Sequence, residues 1–456
     1  MLKRAAVLLA LILLMVSGLV AFIVKYIVKA PEWAHYPANK HLYAKGVPIA
    51  PGTIYDHSGS ILFQVDKDSI KYNKNKEVRT AVMHAVGDLH GNVATGARVV
   101  FKDKLSGWDP VNGTYRPDWL SGTAGSITLT LDAELCAKAY REMRGRKGTV
   151  GIYNYKTGEI ICMVSSPSFD PENPPDVDGN SGKYEGVYIN RLLSSAYTPG
   201  SVFKLVTAAA AIENIDGIDG KVYQCEGKLN IDGVMVTCPE AHGSVTLEQA
   251  LADSCNVAFA LITTELGGDK LQKYADMLGF NSSLNVDGIT AAAGSASISG
   301  ASGADQIWAG IGQSTITANP LNVMAFAGAI ANGGVRVTPG ILAEGGEDGI
   351  FSYAARPREE KRILDAQTAE KLRAMMRNNV IKTYGEGNFK GLELCAKSGT
   401  AEVGESVKPH SWFAGFLDRD DYPLAFVVVI ENSGSGSKVA GAVAGRILQA
   451  AVSGRD

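Results

Sequence analysis

The sequence carries almost no excess charge. Its 44 Lys and Arg residues stand against 47 Asp and Glu, for a net charge of −3. It therefore lacks the basic footprint that a nucleic-acid surface requires. Long apolar runs are just as scarce. After the first thirty residues no stretch approaches the roughly 20 apolar residues that cross a bilayer, so a multispan protein is excluded. There are no internal repeats, which excludes a solenoid. Six cysteines in 456 residues are far too few for a disulfide-framed secreted module. With 46% hydrophobic and 20% charged residues, the chain also lacks the composition of extended disorder. What remains is a globular chain long enough for two or three domains and at least one large core.

The one long apolar run is Ala5 to Val24, AAVLLALILLMVSGLVAFIV. Twenty residues of helix span about 30 Å, the thickness of a hydrocarbon core. Lys3 and Arg4 precede it and favour a cytoplasmic N-terminus, although Lys25 and Lys29 weaken the asymmetry. The apolar run continues through the small residues Ser17 to Ala21, where a signal peptidase could cut. An uncleaved signal-anchor is therefore preferred to a cleaved leader, with everything beyond it outside the cytoplasm. Residues 25–50, with Pro31, Pro37 and Pro48 and with Pro51 just beyond, read as a stalk leaving the membrane. Residues 52–127 show short alternating runs such as Ser60 to Val65 and read as a small strand-rich domain. The expected division is an anchor over 1–30, a stalk with a small N-terminal pedestal domain over 31–125, and a main domain over 126–456.

In the main domain, ITLTLDAELCAKAYREM runs from a strand into a helix with Asp132 near its start. GTVGIYNYKTGEIICMVSSP reads as a hairpin turning at Lys156-Thr157-Gly158. SWFAGFL and LAFVVVIE form a second hairpin around Asp418–Pro423, and the nearly all-apolar LAFVVVI needs cover on both faces. Helical spacing appears over Val202–Glu213, Leu247–Leu266, Leu321–Ala331, Ala366–Val380 and Lys438–Val452. Strands at both ends with helices between them predict an α/β fold of the α+β kind. It should have an antiparallel sheet layered with helices, plus a helical subdomain.

Three short motifs carry chemistry, and each occurs twice. A Ser-Lys hydrolase needs serine and lysine within hydrogen-bond reach, and i, i+3 on a helix supplies that. Ser435–Lys438 lies in the Gly/Ser loop NSGSGSK, where no helix is expected. Ser201–Lys204, in AYTPGSVFKLVTAAAAIE, begins a helix whose free N–H groups favour developing negative charge, so Ser201 is the candidate nucleophile. Of the two K-[ST]-G copies, Lys156-Thr157-Gly158 is explained as a turn. Lys397-Ser398-Gly399-Thr400 enters a strand. Of the two S-x-N copies, Ser283-Leu284-Asn285 lies in a polar loop, whereas Ser254-Cys255-Asn256 falls in a turn between helical pieces.

The order S-x-x-K, S-x-N, K-[ST]-G resembles that of the penicillin-recognising serine enzymes, and specifically the class B penicillin-binding proteins. The resemblance runs from about Ser126 to the end, through TLDAELC, YTPGSVFK, DSCN, IGQSTITANPLNVMAFAGAIANGG and KSGTAEV. PGTIYDHSGSIL is similar to the family's R-G-x-I-x-D-R-N-G-x-x-L segment, with Pro51, His57 and Ser58 departing from it. The resemblance implies a membrane-anchored peptidoglycan D,D-transpeptidase. In that reading Ser201 is acylated by a stem peptide ending in D-Ala-D-Ala, and an amine of a neighbouring stem resolves the acyl-enzyme. Lys204 would be the base, Ser254 a proton relay and Asn256 a substrate-backbone ligand. Lys397, Ser398 and Thr400 would hold the terminal carboxylate, and the N–H groups of Ser201 and Thr400 would form the oxyanion hole. No metal or organic cofactor is required for that chemistry. The implied partners are stem peptides, β-lactams, the cytoplasmic membrane through residues 5–24 and other cell-wall synthesis proteins. A β-lactamase or D,D-carboxypeptidase on the same fold, or a non-catalytic sensor, is the alternative. The only E-x-x-x-N, Glu226 to Asn230, precedes S-x-N rather than following it, which counts against a class A β-lactamase.

Cys225 and Cys238 flank a hairpin expected around Asp232-Gly233. A two-residue turn there would leave them diagonal and about 7–8 Å apart, slightly too far for a disulfide without a bulge or longer turn. An oxidising exterior makes the disulfide the leading reading. Zinc held by Cys225, Cys238 and His242, with Asp232 as a fourth ligand, is the rival. Cys136, Cys162, Cys255 and Cys395 read as buried packing.

Overall fold

The computed structural model describes residues 2–34, 43–44, 47–48, 52–66, 69–105, 125–177, 181–231, 233–343, 358–404 and 407–453. Asp232 lies outside them. Helix α1 spans Leu2–Ala34, and its stretch Arg4–Tyr26 is long and apolar enough to cross a membrane. The helix continues past Pro31, into residues expected to form a stalk.

Strands β1 (Gly52–Tyr55), β2 (Ile61–Asp66), β3 (Ser69–Tyr72) and β4 (Gly125–Thr128) form one sheet in the order β3-β2-β1-β4. The β1–β2 turn is built on Asp56, whose carboxylate accepts from Ser58 N, Ser58 Oγ and Ser60 N. Gly59 supplies the positive φ that the turn needs. The expectation of a strand-rich region is incomplete, because four short helices lie between Lys76 and Leu105. They bury Val78, Ala81, Val82, Ala85 and Val86 against the sheet's core. Each helix is only four to six residues long, too short to leave a 3.6-residue period in the sequence. The β1–β4 pairing is parallel and leads the chain directly into α2 (Ala133–Met143), which Asp132 caps by accepting from Leu135 N at 2.9 Å.

The main sheet holds β5 (Gly148–Asn154) and β6 (Ile160–Ser166), the hairpin expected around Gly158. Helix α3 (Lys204–Asn214) follows a single 3₁₀ turn, Gly200–Val202. Next come four short strands: β7 (Tyr223–Cys225), β8 (Lys228–Ile231), β9 (Val234–Thr237) and β10 (Gly243–Val245). They pair as β8–β9 and β7–β10. Helices α4 (Leu247–Ala252), α5 (Asn256–Leu266), α6 (Pro320–Ala331) and α7 (Ala366–Asn379), with the helices Gly268–Met277 and Gly303–Gly310 between α5 and α6, make up most of the helical part. The chain then returns to the main sheet as β11 (Leu394–Ala401), β12 (His410–Leu417) and β13 (Leu424–Ile430), and ends in α8 (Ala442–Ser453).

The sheet order is β11-β12-β13-β5-β6, antiparallel throughout. β11 is therefore an edge. Every residue of β13 is buried, as its unbroken apolar run requires. On one face Gly151 and Tyr153 approach α6, where a Cβ at Gly151 would sit 3.1 Å from the Met324 sulfur. On the other face Phe413 packs on Phe389 and Phe426, with Gly441 at the start of α8's layer beside it. Across the register Lys397 pairs with Ala414, Ala414 with Val427, and Val427 with Gly151. Lys397 thus points to the α6 side and Ser398 to the opposite side.

Candidate active site

Ser201 sits in the 3₁₀ turn, half-buried, just before α3. Two close approaches hold that turn. Gly200 has φ +54, and a Cβ there would lie 2.9 Å from the Thr400 carbonyl oxygen. A Cβ on Gly399 would lie 2.6 Å from the Pro199 oxygen. Only glycines let the turn bearing Ser201 touch the strand bearing Thr400. Trp412 on β12 donates to the Thr198 carbonyl at 3.0 Å and anchors the approach to the turn.

One α-helical turn on, Lys204 is completely buried. Its Nζ lies 2.6 Å from Ser254 O, 2.8 Å from Asn256 Oδ1 and 3.2 Å from Ser254 Oγ. Burial pushes its pKa well below the usual lysine value, and the nearby positive charge of Lys397 pushes the same way. A neutral amine has two N–H donors, which the Ser254 carbonyl and the Asn256 amide oxygen take up. The lone pair is left for a hydroxyl proton.

Ser254 occupies the turn between α4 and α5 at φ +55, an unusual conformation for a serine. Both segments were expected to be helical with a rigid turn between them, and they are. Asn256 opens α5, and its amide donates to the Thr237 carbonyl at 2.8 Å. Lys397 is also fully buried. It donates to Ser254 Oγ at 3.1 Å and to the Ser398 carbonyl at 3.0 Å, and burial lowers its pKa to about 7. The Ser254 hydroxyl therefore stands between two lysine amines. Thr400 is exposed at the edge of β11, where its Oγ1 accepts from Gly436 N at 3.2 Å. That leaves the Thr400 hydroxyl proton free to donate outward.

Sequence reasoning missed Tyr384. It lies in a π-helical turn, Val380–Tyr384, that prolongs α7. Its hydroxyl donates to Ser398 Oγ at 3.0 Å and accepts from Ser398 N at 2.9 Å. Burial raises its pKa and keeps the phenol neutral. Tyr384 closes the mostly polar helix end RNNVIKTY, which marks no contact with Ser398, so only the fold reveals it.

The second copies fall elsewhere. Lys156-Thr157-Gly158 is the β5–β6 turn, with Gly158 at φ +79 and Asn154 Oδ1 accepting from Lys156 N and Thr157 N. Asn285 begins a two-residue strand. Ser435–Lys438 corrects the expectation that no helix holds the pair. Ser435 caps a π-helical turn, Gly436–Gly441, and accepts from Lys438 N, although Lys438 itself is exposed. The turn forms because it continues the register of α8 outward and because the Ser411 hydroxyl accepts from Ala440 N at 3.0 Å.

The cysteines also depart from expectation. The two-residue turn closes β8 onto β9, with Ile231 paired to Val234. The ladder does not run on to Cys225, however. A bend at Gly227 (φ +88) turns Cys225 away to pair with Gly243 on β10. The sulfurs of Cys225 and Cys238 come to 3.7 Å, and both cysteines are free. The expected disulfide is therefore not formed in this structure. Cys255, expected as inert packing, stands with its sulfur 3.8 Å from that of Cys238.

Comparison with known proteins matches residues 148–449 to the family of the penicillin-binding protein transpeptidase domain. The match covers well over half the chain, so the protein belongs to this family. Among similar curated proteins is the peptidoglycan D,D-transpeptidase PbpA of Mycolicibacterium smegmatis, 26% identical over 395 residues and 79% of each chain. Another is the stage V sporulation protein D of Bacillus subtilis, 28% identical over 71% of this chain and 52% of that one. Among solved structures, the D,D-transpeptidase domain of a peptidoglycan glycosyltransferase from Eggerthella lenta superimposes with a TM-score of 0.75. It is 26% identical, over 89% of this chain and 98% of that one. The penicillin G acyl-enzyme of penicillin-binding protein A from M. tuberculosis gives 0.71 at 23% identity, over 88% and 99%, a likeness of fold. The sheet layered with helices expected from the sequence is thus the fold of this family.

Proposed function

We propose that the protein is a membrane-anchored peptidoglycan D,D-transpeptidase that works through an acyl-enzyme on Ser201. The observation that carries this reading is the closed set of hydrogen bonds joining Lys204, Ser254, Asn256 and Lys397 within one buried cluster. Three separate sequence motifs converge there, at the N-terminal end of α3 beside Ser201.

In the first step the Lys204 amine accepts the Ser201 hydroxyl proton while Oγ attacks the penultimate D-Ala carbonyl. The oxyanion develops beside the N–H groups of Ser201 and Thr400, whose elements touch at Gly200 and Gly399. A donor of this kind is typically worth about 3–4 kcal/mol. Collapse of the tetrahedral intermediate expels D-Ala, and Ser254 passes a proton to the departing amine. Lys397, Ser398 and Thr400 line the position of the substrate's terminal carboxylate. Asn256, held by Thr237, meets its peptide backbone. β11 is an edge strand, so an extended stem peptide can add to it by main-chain pairing. The second half-reaction reverses these roles with the acceptor amine. β-Lactams enter the same path, their opened ring remaining on Ser201.

Helix α1 is proposed as the single-pass anchor, with the catalytic region outside the cytoplasm. The proposed division is an anchor over 1–30, a stalk and pedestal over 31–125, and the transpeptidase region over 126–456. Other cell-wall synthesis proteins are its proposed partners. The test is labelling of the detergent-solubilised chain with fluorescent penicillin, followed by peptide mapping. An adduct on Ser201 that is lost in Ser201→Ala supports the reading. Labelling that survives this substitution overturns it.

A further inference from the structure

Beside the catalytic turn, four potential metal ligands converge from four separate positions in the chain. They are Cys225 at the end of β7, Cys238 just after β9, His242 just before β10 and Cys255 capping α5. Their donor atoms all lie within 4.8 Å of one another. The sulfurs of Cys225 and Cys238 are 3.7 Å apart, and those of Cys238 and Cys255 are 3.8 Å apart. The Cys225 sulfur lies 3.4 Å from His242 Nδ1. A tetrahedron with bonds of about 2.3 Å to sulfur and about 2.0–2.1 Å to nitrogen has edges of about 3.8 Å and 3.6 Å. The three spacings given lie within about 0.2 Å of those edges, and the other three are no longer than 4.8 Å.

The surroundings suit thiolates. Cys238 Sγ accepts from Asn256 N at 3.2 Å and from Val257 N at 3.4 Å, and Cys255 Sγ accepts from Ala258 N at 3.3 Å. These N–H groups belong to the first turn of α5, whose dipole favours negative charge. Outer hydrogen bonds of this kind orient and stabilise metal-bound sulfur. The local fold also needs a cross-link. β7–β10 form two separate two-stranded ladders, and such ribbons are marginal by themselves in water. A Cys225–Cys238 disulfide would leave Cys255 and His242 without a role, whereas one metal ion uses all four groups.

We propose that Cys225, Cys238, His242 and Cys255 bind one zinc ion, which clamps the β7–β10 flap to the Ser254-Cys255-Asn256 turn. Binding displaces three thiol protons and leaves neutral His242 coordinated through Nδ1, giving a site of net charge −1. The ion is structural, since four protein ligands leave no open position. The clamp reaches the catalytic residues directly. Cys255 lies between Ser254 and Asn256, and Asn256 is further tied to Thr237, next to Cys238. This second, positioning role rests on the transpeptidase reading; the metal site does not.

The experiment uses the detergent-solubilised full chain, purified under reducing conditions and dialysed with zinc alone as probe. Elemental analysis should find about one zinc per chain. Replacement by cobalt should give the intense visible bands of a tetrahedral cobalt–thiolate centre. Cys225→Ser and His242→Ala should each weaken zinc binding by about 10-fold or more. If they fail to fold, cobalt titration of the unaltered chain still decides. No bound metal, or an intact Cys225–Cys238 disulfide in the unreduced protein with no metal uptake, overturns the proposal. Stripping zinc with a chelator should slow penicillin acylation at least 10-fold, and zinc should restore it. An unchanged rate in the stripped protein overturns the clamp while leaving the site. Loaded zinc with no penicillin adduct at all overturns the transpeptidase reading instead.

Discussion

Two regions of this molecule carry the same four-residue pattern and differ in almost everything else. Ser201–Lys204 and Ser435–Lys438 both begin a helix, and in both the serine precedes the lysine by three positions. Lys204 is fully buried and bonded to Ser254 and Asn256, with Lys397 completing the cluster. Lys438 is exposed, and Ser435 Oγ is occupied in capping its own turn. The spacing brings a hydroxyl near an amine. Burial and partners turn that amine into a base.

The largest expected effect is on acylation of the serines. Ser201→Ala should eliminate penicillin labelling. Ser435→Ala should leave labelling intact and lower stability by about 1 kcal/mol through loss of the cap. Equal labelling of both variants would erase the distinction. The lysines come next. Lys204→Ala should slow acylation by about 10²–10⁴-fold, the usual worth of a positioned base. Lys438→Ala should change neither rate nor stability beyond about 0.5 kcal/mol. Stopped-flow acylation with both variants reads the contrast directly.

A third expectation concerns pH. Lys204 must be neutral to accept a proton, and its pKa is depressed by burial first and Lys397 second. Acylation should hold near neutral pH and fall as the solution is acidified through that depressed value. A flat acid limb would mean that another group takes the proton.

The smallest effect is on stability. Lys397 is buried with a pKa of about 7 against an ordinary 10.5. Between those values the unfolded chain binds a proton that the folded chain does not, so folding stability rises with pH across that window. Lys397→Met should therefore raise the thermal midpoint, most of all below about pH 7, with the gain shrinking toward pH 10. Labelling should fall in the same variant. A lower midpoint at every pH would show that the lysine stabilises the fold.

Much of this was legible in the residues themselves. Ser201, Lys204, Ser254, Asn256 and Lys397 were singled out by motif order, and the structure gathers the last four into one bonded cluster with the Ser201 turn against β11. The hairpin at Gly158, the doubly covered strand Leu424–Ile430 and the α2 cap at Asp132 followed from local rules about turns, apolar runs and N-caps. The helices between Lys76 and Leu105 did not, because they are too short to show a period.

What the sequence by itself determined were features whose physics is local: an apolar run of membrane length, helix starts, tight turns and the i, i+3 placement of serine and lysine. Tertiary structure alone decided which of two identical motifs lies in a buried cluster and that Tyr384 backs Ser398. It also brought Cys255 to Cys225, Cys238 and His242. Each of those outcomes joins residues far apart in the chain, set by packing and burial that no short window of sequence contains.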